Sequence, residues 1–443
     1  MKINENKFFE LAKENGFESA DLYLKKNYSL STSIFHGEVD SMTQHETHLI
    51  TARGIINGKF GSVTTEAIDK NTPEFLINSI KRTAGVIEND DPSIIFKGSE
   101  KYHKKTVFNK AVLSGNIQEK VGILLEIERK LKEYDKRINE VVSVGYEEEV
   151  SEEKLSNSYG LKLNSKVADY SYFAEITAKD GDEVRTGFKV FASIDPKEFN
   201  LDKFVEECAK DALDKLGSTQ CKSKKYPVVF TPECASILLS HLLQSVDAEE
   251  VQKHTSLFEG KLKQQIVSKK LTVIEDPLKK NLFFRYFDDE GVATNKKAII
   301  KNGVLETYLY TLQTAQIAGV EPTGNGYRSG SKASADTAFL TVKPGRKSKN
   351  ELFSEIKEGV LINELQGLHS GMNSHSGNFS LPCAGFMIRN GKIAEPVSLI
   401  TVADNLVNMF SNIKGLSKET ELVIRTSTEC PYIYINKMAI SGK

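Results

Sequence analysis

Lys296–Leu305, KKAIIKNGVL, is the stretch that decides the fold, because it places an Asn-Gly step between two runs of strand-forming residues. A two-residue turn of this kind closes a tight hairpin when both of its central residues adopt positive φ angles. The same signal recurs at Asn57-Gly58, Asp180-Gly181 and Asn390-Gly391. Two of the four steps lie in each half of the chain, so we expect antiparallel sheet in both halves.

Helical patterns alternate with these strands. Apolar spacing and terminal signals predict helices at Glu5–Asn15, Thr72–Ile87, Asn116–Lys136 and Leu201–Leu216. A polar, lysine-rich linker, Gly217–Tyr226, follows the last of them. Since 443 residues exceed what one core usually organises, we predict an α+β protein of two domains, each with antiparallel β-sheet and packed helices. Residues 1–220 form the N-terminal α+β domain, and residues 221–443 form a β-rich C-terminal domain.

Composition narrows the range of functions. The 59 basic and 60 acidic residues give a formal net charge of −1, so the chain has no basic surplus to neutralise nucleic-acid phosphates. It also has no apolar run near the roughly 20 residues that span a bilayer, and its N-terminus lacks the apolar core of a signal peptide. We therefore expect a cytoplasmic protein without nucleic-acid or membrane partners. Its five cysteines form no C-x-x-C pair, which favours free thiols.

The segment Ser236–Glu250, SILLSHLLQSVDAEE, has the pattern of a largely buried helix. Its polar positions include His241, Ser240 and Ser245. A zinc peptidase helix carries two histidines about one turn apart, with a glutamate beside the first. The helix is thus predicted, but the ligands of such a site are missing from it.

Two further segments could carry chemistry. His369 and His375 occur in GLHSGMNSHSGNFS, a glycine- and serine-rich stretch that is typical either of a functional loop or of tight turns between core strands. Asp288–Gly291, DDEG, gathers three carboxylates that could bind a hard cation. Without further ligand spacing, a polar turn at the end of a buried strand is the favoured interpretation of this cluster.

Several motifs in order along the C-terminal half resemble the TldD/PmbA family, also called TldD/TldE or modulators of DNA gyrase. The motifs are the Asp288–Gly291 turn, the hairpin at Gly303-Val304-Leu305, Pro322–Asn325, Gly371–Asn373, Ser376–Ser380, Ala384–Phe386, Thr401–Leu406 and the closing Ile435–Gly442. They extend over some 160 residues, whereas the N-terminal half fits the family's helix-plus-hairpin opening more loosely.

The resemblance implies one branch of that family. TldD-like members carry H-E-x-x-x-H on the first helix of the C-terminal domain and a cysteine near the C-terminus, which together hold zinc. Here the three named motif positions fall on Ser240, His241 and Ser245, and Cys430 lies several residues after the expected cysteine. The chain therefore resembles the PmbA/TldE branch, which implies no catalytic residue, metal or cofactor in this chain, and zinc in a TldD-like partner.

In that family a heterodimer encloses a channel in which the zinc subunit hydrolyses unfolded peptides. The resemblance thus implies a zinc-less subunit of a cytoplasmic metallopeptidase complex. Candidate peptide-channel residues are Glu290, Gly291, Thr323, Gly324, Asn325, Arg328, Asn373, Phe379 and Ser380. Two alternatives stay open: an active metallopeptidase whose metal is held by other residues, such as His241 with His254 or Glu250, and a non-enzymatic peptide-binding homodimer.

Overall fold

The N-terminal half forms one antiparallel sheet with helices packed on it. The structure, a computed structural model, describes residues 3–86, 94–330 and 332–443. The strands of this sheet are β1 (Ser19–Phe35), β2 (Glu38–Ile56), β3 (Lys59–Thr65), β4 (Ile138–Asn157), β5 (Lys162–Asp180) and β6 (Glu183–Ser193), in the order β3-β2-β1-β4-β5-β6. The helices are α1 (Glu5–Glu14), α2 (Thr72–Val86), α3 (Ile117–Tyr134) and α4 (Leu201–Leu213). These match the four predicted helices, except that Ile87 lies outside the described residues.

The C-terminal half forms a second, larger sheet. Its strands, together with a separate small hairpin of β11 and β12, are β7 (Lys224–Phe230), β8 (Val273–Glu275), β9 (Lys297–Lys301), β10 (Val304–Leu305), β11 (Gly326–Ser329), β12 (Lys332–Ala335), β13 (Leu340–Val342), β14 (Glu358–Leu365), β15 (Asn378–Arg389), β16 (Lys392–Asn405), β17 (Ile413–Val423) and β18 (Thr428–Ser441). The helices are α5 (Pro232–Leu243), α6 (Ala248–Gln252), α7 (Leu312–Ala318), α8 (Lys349–Ser354), α9 (Leu368–Gly371) and α10 (Leu406–Ser411).

Strand pairing in this second sheet closes on itself. β7 pairs with β14, and the pairing continues through β15, β16 and β18 back to β7. The β7–β14 and β13–β18 pairs are parallel, and the other pairs are antiparallel. The predicted α+β class with antiparallel sheets is confirmed. The two sheets use residues 19–193 and 224–441, while the division into two domains at residue 220 stays a prediction.

The four predicted hairpins form, but one of them has a different turn. Three of the turns are Asn-Gly pairs in which both residues have positive φ, with φ of 52°, 47° and 49° at Asn57, Asn302 and Asn390. In the fourth, Asp180 pairs with Glu183, so the turn residues are Gly181 and Asp182. Gly181 has φ 59°, and Asp180 has no positive φ. Glycine at the first central position is the requirement of a type II′ turn, which explains the shift by one residue.

The predicted helix at Ser236–Glu250 is interrupted. α5 ends at Leu243, residues 244–246 form a 3-10 turn, and α6 begins after Asp247, whose side chain caps it by accepting from the Glu249 amide at 2.8 Å. Leu309 forms two backbone hydrogen bonds across this break. Its amide donates to the Val246 carbonyl, and its carbonyl accepts from the Ala248 amide. Tertiary pairing with a distant strand segment therefore replaces the helical hydrogen bonds that local sequence predicts.

The two halves of the chain pack against each other through an aromatic cluster. Tyr23 and Leu155 of the first sheet are buried together with Phe284, Tyr286 and Phe287, which precede the DDEG turn. α5 packs against β14, β17 and β18 in the core of the second half. In the described ranges, no helix is long and apolar enough to cross a membrane.

Candidate functional site

Two of the three zinc-motif positions, Ser240 and Ser245, lie on the wall of one cavity. Thr231 precedes α5 and Pro232 is its first residue, as expected from the preference for proline at this position. Ser240, on the last turn of α5, and Ser245, in the 3-10 turn, both line a cavity of about 670 Å³. These two positions therefore belong to one site in three dimensions, whereas His241 is not part of the lining.

This cavity, which we call the α5 cavity, is lined by both charged and hydroxyl-bearing side chains. Its lining residues are Ser240, Leu243, Gln244, Ser245, Asp247, Glu250, Thr255, Ser256, Leu309, Ala335, Asp336, Thr337, Leu340, Ser374, His375, Arg425, Thr426 and Ser427. A volume of this size is within the usual range of ligand pockets. Three carboxylates and one guanidinium make the wall strongly polar.

His241 follows Ser240 on α5 and is partly buried. Its Nδ1 atom is buried and has no hydrogen-bond partner in the described part of the chain. Burial and the positive charge of Arg425 both lower the pKa of His241, since each disfavours the imidazolium. His241 is therefore neutral at neutral pH and leaves one buried ring nitrogen unsatisfied.

The residues at the motif positions do not fit a zinc ion. Ser240 donates its hydroxyl to the Ile237 carbonyl at 2.8 Å, and a neutral hydroxyl is a poor zinc ligand. The alternative ligands are also engaged elsewhere, since His254 Nδ1 lies 2.6 Å from Glu259 Oε1 and Glu250 accepts from the Thr255 hydroxyl at 2.6 Å. Within residues 3–86, 94–330 and 332–443, no three His, Cys, Asp or Glu side chains come together as a metal site.

The C-terminal segment that should carry the ligand cysteine does reach the α5 cavity. Arg425 and Thr426 from this segment line it, and the Thr426 hydroxyl donates to the Ser236 hydroxyl on α5 at 2.9 Å. Cys430 lies outside the lining, is fully buried, and has its pKa raised by burial. Cys430 therefore does not contribute to the cavity wall.

Most of the predicted peptide-channel residues between 290 and 328 are buried, which argues against direct peptide contact. Glu290 accepts from the Leu312 amide at 2.8 Å at the start of α7. Gly291 packs against Leu155 of the first sheet, where a Cβ would lie 3.2 Å from the leucine side chain. A Cβ on Gly324, whose φ is 72°, would lie 2.7 Å from the carbonyl oxygen of Ala293.

Thr323 and Asn325 serve similar structural roles in this loop. The Thr323 hydroxyl accepts from the Tyr310 amide at 2.8 Å. Asn325 is 0% exposed, and its amide group donates to the two carboxylate oxygens of Glu275 at 2.9 and 3.1 Å. Lys297 pairs with the same carboxylate at 2.7 Å. The loop is thus fixed from inside by hydrogen bonds and a buried ion pair.

Arg328 belongs to a buried ionic cluster between the two halves of the chain. Its side chain is 2% exposed and donates to Asp21 of β1 at 3.0 Å. Arg53 of β2 binds the same carboxylate through Nε, which lies 3.1 Å from both oxygens. The two guanidiniums outweigh the effect of burial, so the pKa of Asp21 is lowered. Arg328 therefore joins the small hairpin to the first sheet.

The DDEG turn completes this connection. Asp289 accepts from the Tyr23 hydroxyl at 2.6 Å and from the Arg328 amide at 2.8 Å, and it also pairs with Arg285. Asp288 accepts from the backbone amides of Glu290, Val292 and Gly326 at 2.8–3.0 Å. Each carboxylate already has protein partners, as the interpretation of a buried polar turn requires.

The second candidate loop, residues 371–380, is divided between core and surface. Phe379 is 3% exposed in the core of the second sheet, whereas Asn373 and Ser380 are exposed. Ser374 and His375 of the same loop line the α5 cavity. His375 therefore lies where a functional role is possible, and the peptide contacts of Asn373 and Ser380 stay predictions.

Sequence reasoning named Glu250 only as an alternative metal ligand and missed the other charged residues of the cavity. Asp247, Glu250, Asp336 and Arg425 come from three separate segments, and only the fold brings them together. The sequence contains one signal that the helix is interrupted, the run DAEE at the end of the predicted helix. An acidic run there is unfavourable for the helix macrodipole, and it could have indicated that a new helix begins at that point.

Asp247 leads to a pH-dependence prediction. Burial, with the nearby charges of Glu249 and Glu250, raises the pKa of Asp247 to about 6 in the folded protein, above its ordinary value of 3.8. A carboxyl whose pKa is raised on folding contributes stability below pH 4 that is lost as the pH rises through 6. We expect Asp247→Asn, which keeps a good N-cap, to remove this loss, so that the unfolding free energy of the variant relative to wild type rises between pH 4 and pH 7 in urea titrations. A difference that is constant or falls over this range would contradict the prediction.

Comparisons with known proteins identify the family of this chain. Family models described as PmbA/TldA metallopeptidase domain 1, central domain and C-terminal domain match residues 20–85, 114–216 and 223–442. A metalloprotease PmbA homolog of Buchnera aphidicola is 25% identical over 432 residues, covering 96% of this chain and 93% of the relative. An uncharacterised protein of Methanocaldococcus jannaschii is 30% identical over 417 residues, with 91% and 92% covered.

Two solved structures are similar over their full lengths. One, from Thermotoga maritima, is described as a modulator of a DNA gyrase and has a TM-score of 0.90 and 28% identity, with 99% of each chain covered. The other is TldE from Thermococcus kodakarensis, with a TM-score of 0.90, 22% identity, and 99% and 100% of the two chains covered. The three family models match in order along the chain, and the two solved structures are similar to it over its full length. The chain belongs to the PmbA/TldD metallopeptidase family.

Proposed function

We propose that this chain is the zinc-less subunit of a TldD/TldE-type peptidase complex, which acts with a TldD-like zinc subunit on unfolded peptides in the cytoplasm. The observation that carries this proposal is the α5 cavity, where Ser240 and Ser245 stand at the positions of the family's ligand histidines. The chain has the family fold, and serine hydroxyls line its cavity where the resemblance places the ligand histidines. A cavity without such ligands is suited to shaping a peptide site whose chemistry is supplied by a partner.

In such a complex the zinc of the partner would activate water for hydrolysis of the peptide bond. The part of this chain would be to hold peptide and to exclude folded proteins. Its cavity wall offers hydroxyls, three carboxylates and a guanidinium, which are groups that bind the polar main chain and the termini of peptides. No proton transfer or nucleophilic step is assigned to its own residues.

The test is reconstitution. We expect the purified chain alone to leave unstructured peptides intact, and an equimolar mixture with an H-E-x-x-x-H relative from the same genome to cleave them and to elute as a single complex. A relative whose first motif histidine is replaced by alanine is the matched control, because it should still bind this chain but give no cleavage.

Other outcomes would favour the alternatives. Cleavage by this chain alone, lost on chelation, would favour an active metallopeptidase with a different metal site. A stable homodimer that neither cleaves peptides nor associates with the relative would favour the peptide-binding homodimer. Either result would overturn the proposal that this chain holds the peptide while a zinc-containing partner cleaves it.

A further inference from the structure

The charges of the α5 cavity are separated along its length. The Thr426 hydroxyl donates a hydrogen bond to the Ser236 hydroxyl near the middle of α5. The neighbouring Arg425 therefore lies at the end of the cavity formed by α5, where its positive charge also acts on His241. Asp247 and Glu250 lie beyond the end of α5. From Ser240 to Asp247 the helical rise amounts to roughly 10 Å. The cavity therefore has one cationic end and one anionic end.

Arg425 is free to bind a ligand. It lines the cavity, is exposed, and takes part in none of the ion pairs or side-chain hydrogen bonds of the described residues. A guanidinium presents a planar fork of donors that matches a carboxylate in a bidentate arrangement. Ser427 and Thr426 bring hydroxyl groups next to it. This end of the cavity has the composition of a carboxylate site.

The other end disfavours ligands that are anionic throughout. Asp247 and Glu250 contribute two carboxyl groups to this end, and like charges repel strongly in a partly enclosed site. A phosphate dianion would form an ion pair with Arg425 but would be repelled by these carboxylates. A ligand with one carboxylate and one cationic group satisfies both ends.

We propose that the α5 cavity binds short peptides by their two ends, with the free C-terminal carboxylate on Arg425 and the N-terminal ammonium near Asp247 and Glu250. An extended peptide rises about 3.3 Å per residue, so three or four residues span the roughly 10 Å of helical rise from Ser240 to Asp247. This inference rests on the proposed function only in taking peptides as the ligand class. It assigns to this chain a binding site for short peptides with free termini.

Calorimetric titration of the purified chain with tetraalanine tests this. We expect tetraalanine to bind, and its C-terminal amide to bind at least about tenfold more weakly, which is the loss expected for one charge-assisted hydrogen-bonded pair. Arg425→Gln should weaken tetraalanine binding by a similar factor and should no longer distinguish the acid from the amide. N-acetylation should also weaken binding. Arg346→Gln, at another exposed arginine outside the cavity, is the matched control and should behave like wild type.

Several results would overturn the inference. These are equal binding of the acid and the amide to the wild-type protein, no binding of tetraalanine at millimolar concentrations, or competition by inorganic phosphate at equal affinity, which would indicate a simple anion site. The comparison of acid with amide uses only wild-type protein, so a folding defect in a variant does not affect it. If this chain stimulates peptide cleavage by the zinc relative but does not bind tetraalanine, this inference is overturned and the proposed function is left intact. If this chain binds tetraalanine but does not stimulate cleavage, the proposed function is overturned and this inference is left intact.

Discussion

Asp21→Asn is expected to destabilise the protein by on the order of 3–5 kcal/mol, although it removes only one charge and no volume. Asp21 is 1% exposed and pairs with two buried guanidiniums, those of Arg53 and Arg328. Without its carboxylate the two arginines would face each other inside the protein, where water cannot screen them. The unfolding free energy from urea titration, measured at neutral pH, checks this prediction.

Glu46→Gln is the matched control for this experiment. Glu46 lies on the same strand pair as Asp21 and forms ion pairs with Lys26 and His48, but all three side chains are at least partly exposed. Exposed ion pairs are screened by solvent and contribute little to stability, so this variant should unfold close to wild type. Similar losses for both variants would show that the Asp21 cluster is no more important to the fold than a surface pair.

Asn325→Asp is expected to have an effect of similar size, on the order of 3–5 kcal/mol at pH 8. The substitution keeps the shape of the side chain but exchanges its amide donor for an oxygen that faces the carboxylate of Glu275 at about hydrogen-bond distance. Two carboxylates at this separation cannot both be ionised without a large penalty, so one of them must take up a proton.

The pH dependence gives this prediction a second check. Because the folded variant would bind a proton that the unfolded chain releases above pH 4, its stability relative to wild type should fall as the pH rises. Urea unfolding at pH 5 and pH 8 measures the difference. Asn373→Asp is the control, since Asn373 is exposed and uses its side-chain oxygen only to accept from the Ser376 amide. A loss at Asn325 that does not depend on pH would contradict the electrostatic explanation.

These two predictions follow from a correction to the sequence-based site. Asn325 and Arg328 are candidates for peptide contact in the sequence, because they lie in a backbone-rich segment that could pair with an extended peptide. In the structure both are buried and bind other protein groups. Sequence pattern cannot separate a polar residue that faces a ligand from one that connects two parts of the fold, since both occur in loops and both are flanked by glycine.

The fold class was within reach of sequence for a local reason. A two-residue turn depends on its own φ angles, so Asn302-Gly303 indicates a hairpin whatever surrounds it. The exception at Asp180 is also local, because shifting the turn by one residue places Gly181 at the first central position. The interrupted helix after Leu243 was beyond reach, because its backbone pairs with Leu309, more than sixty residues later in the chain.

The sequence by itself determined the antiparallel hairpins, the main helices and the family. Each of these depends on the identity of residues at short range or in a fixed order. Only the tertiary structure decided that Arg425, Asp336 and Asp247 share one cavity, and that Arg328 is buried against Asp21. Charge and burial depend on which distant segments are neighbours, and that is set by the packing of the whole chain.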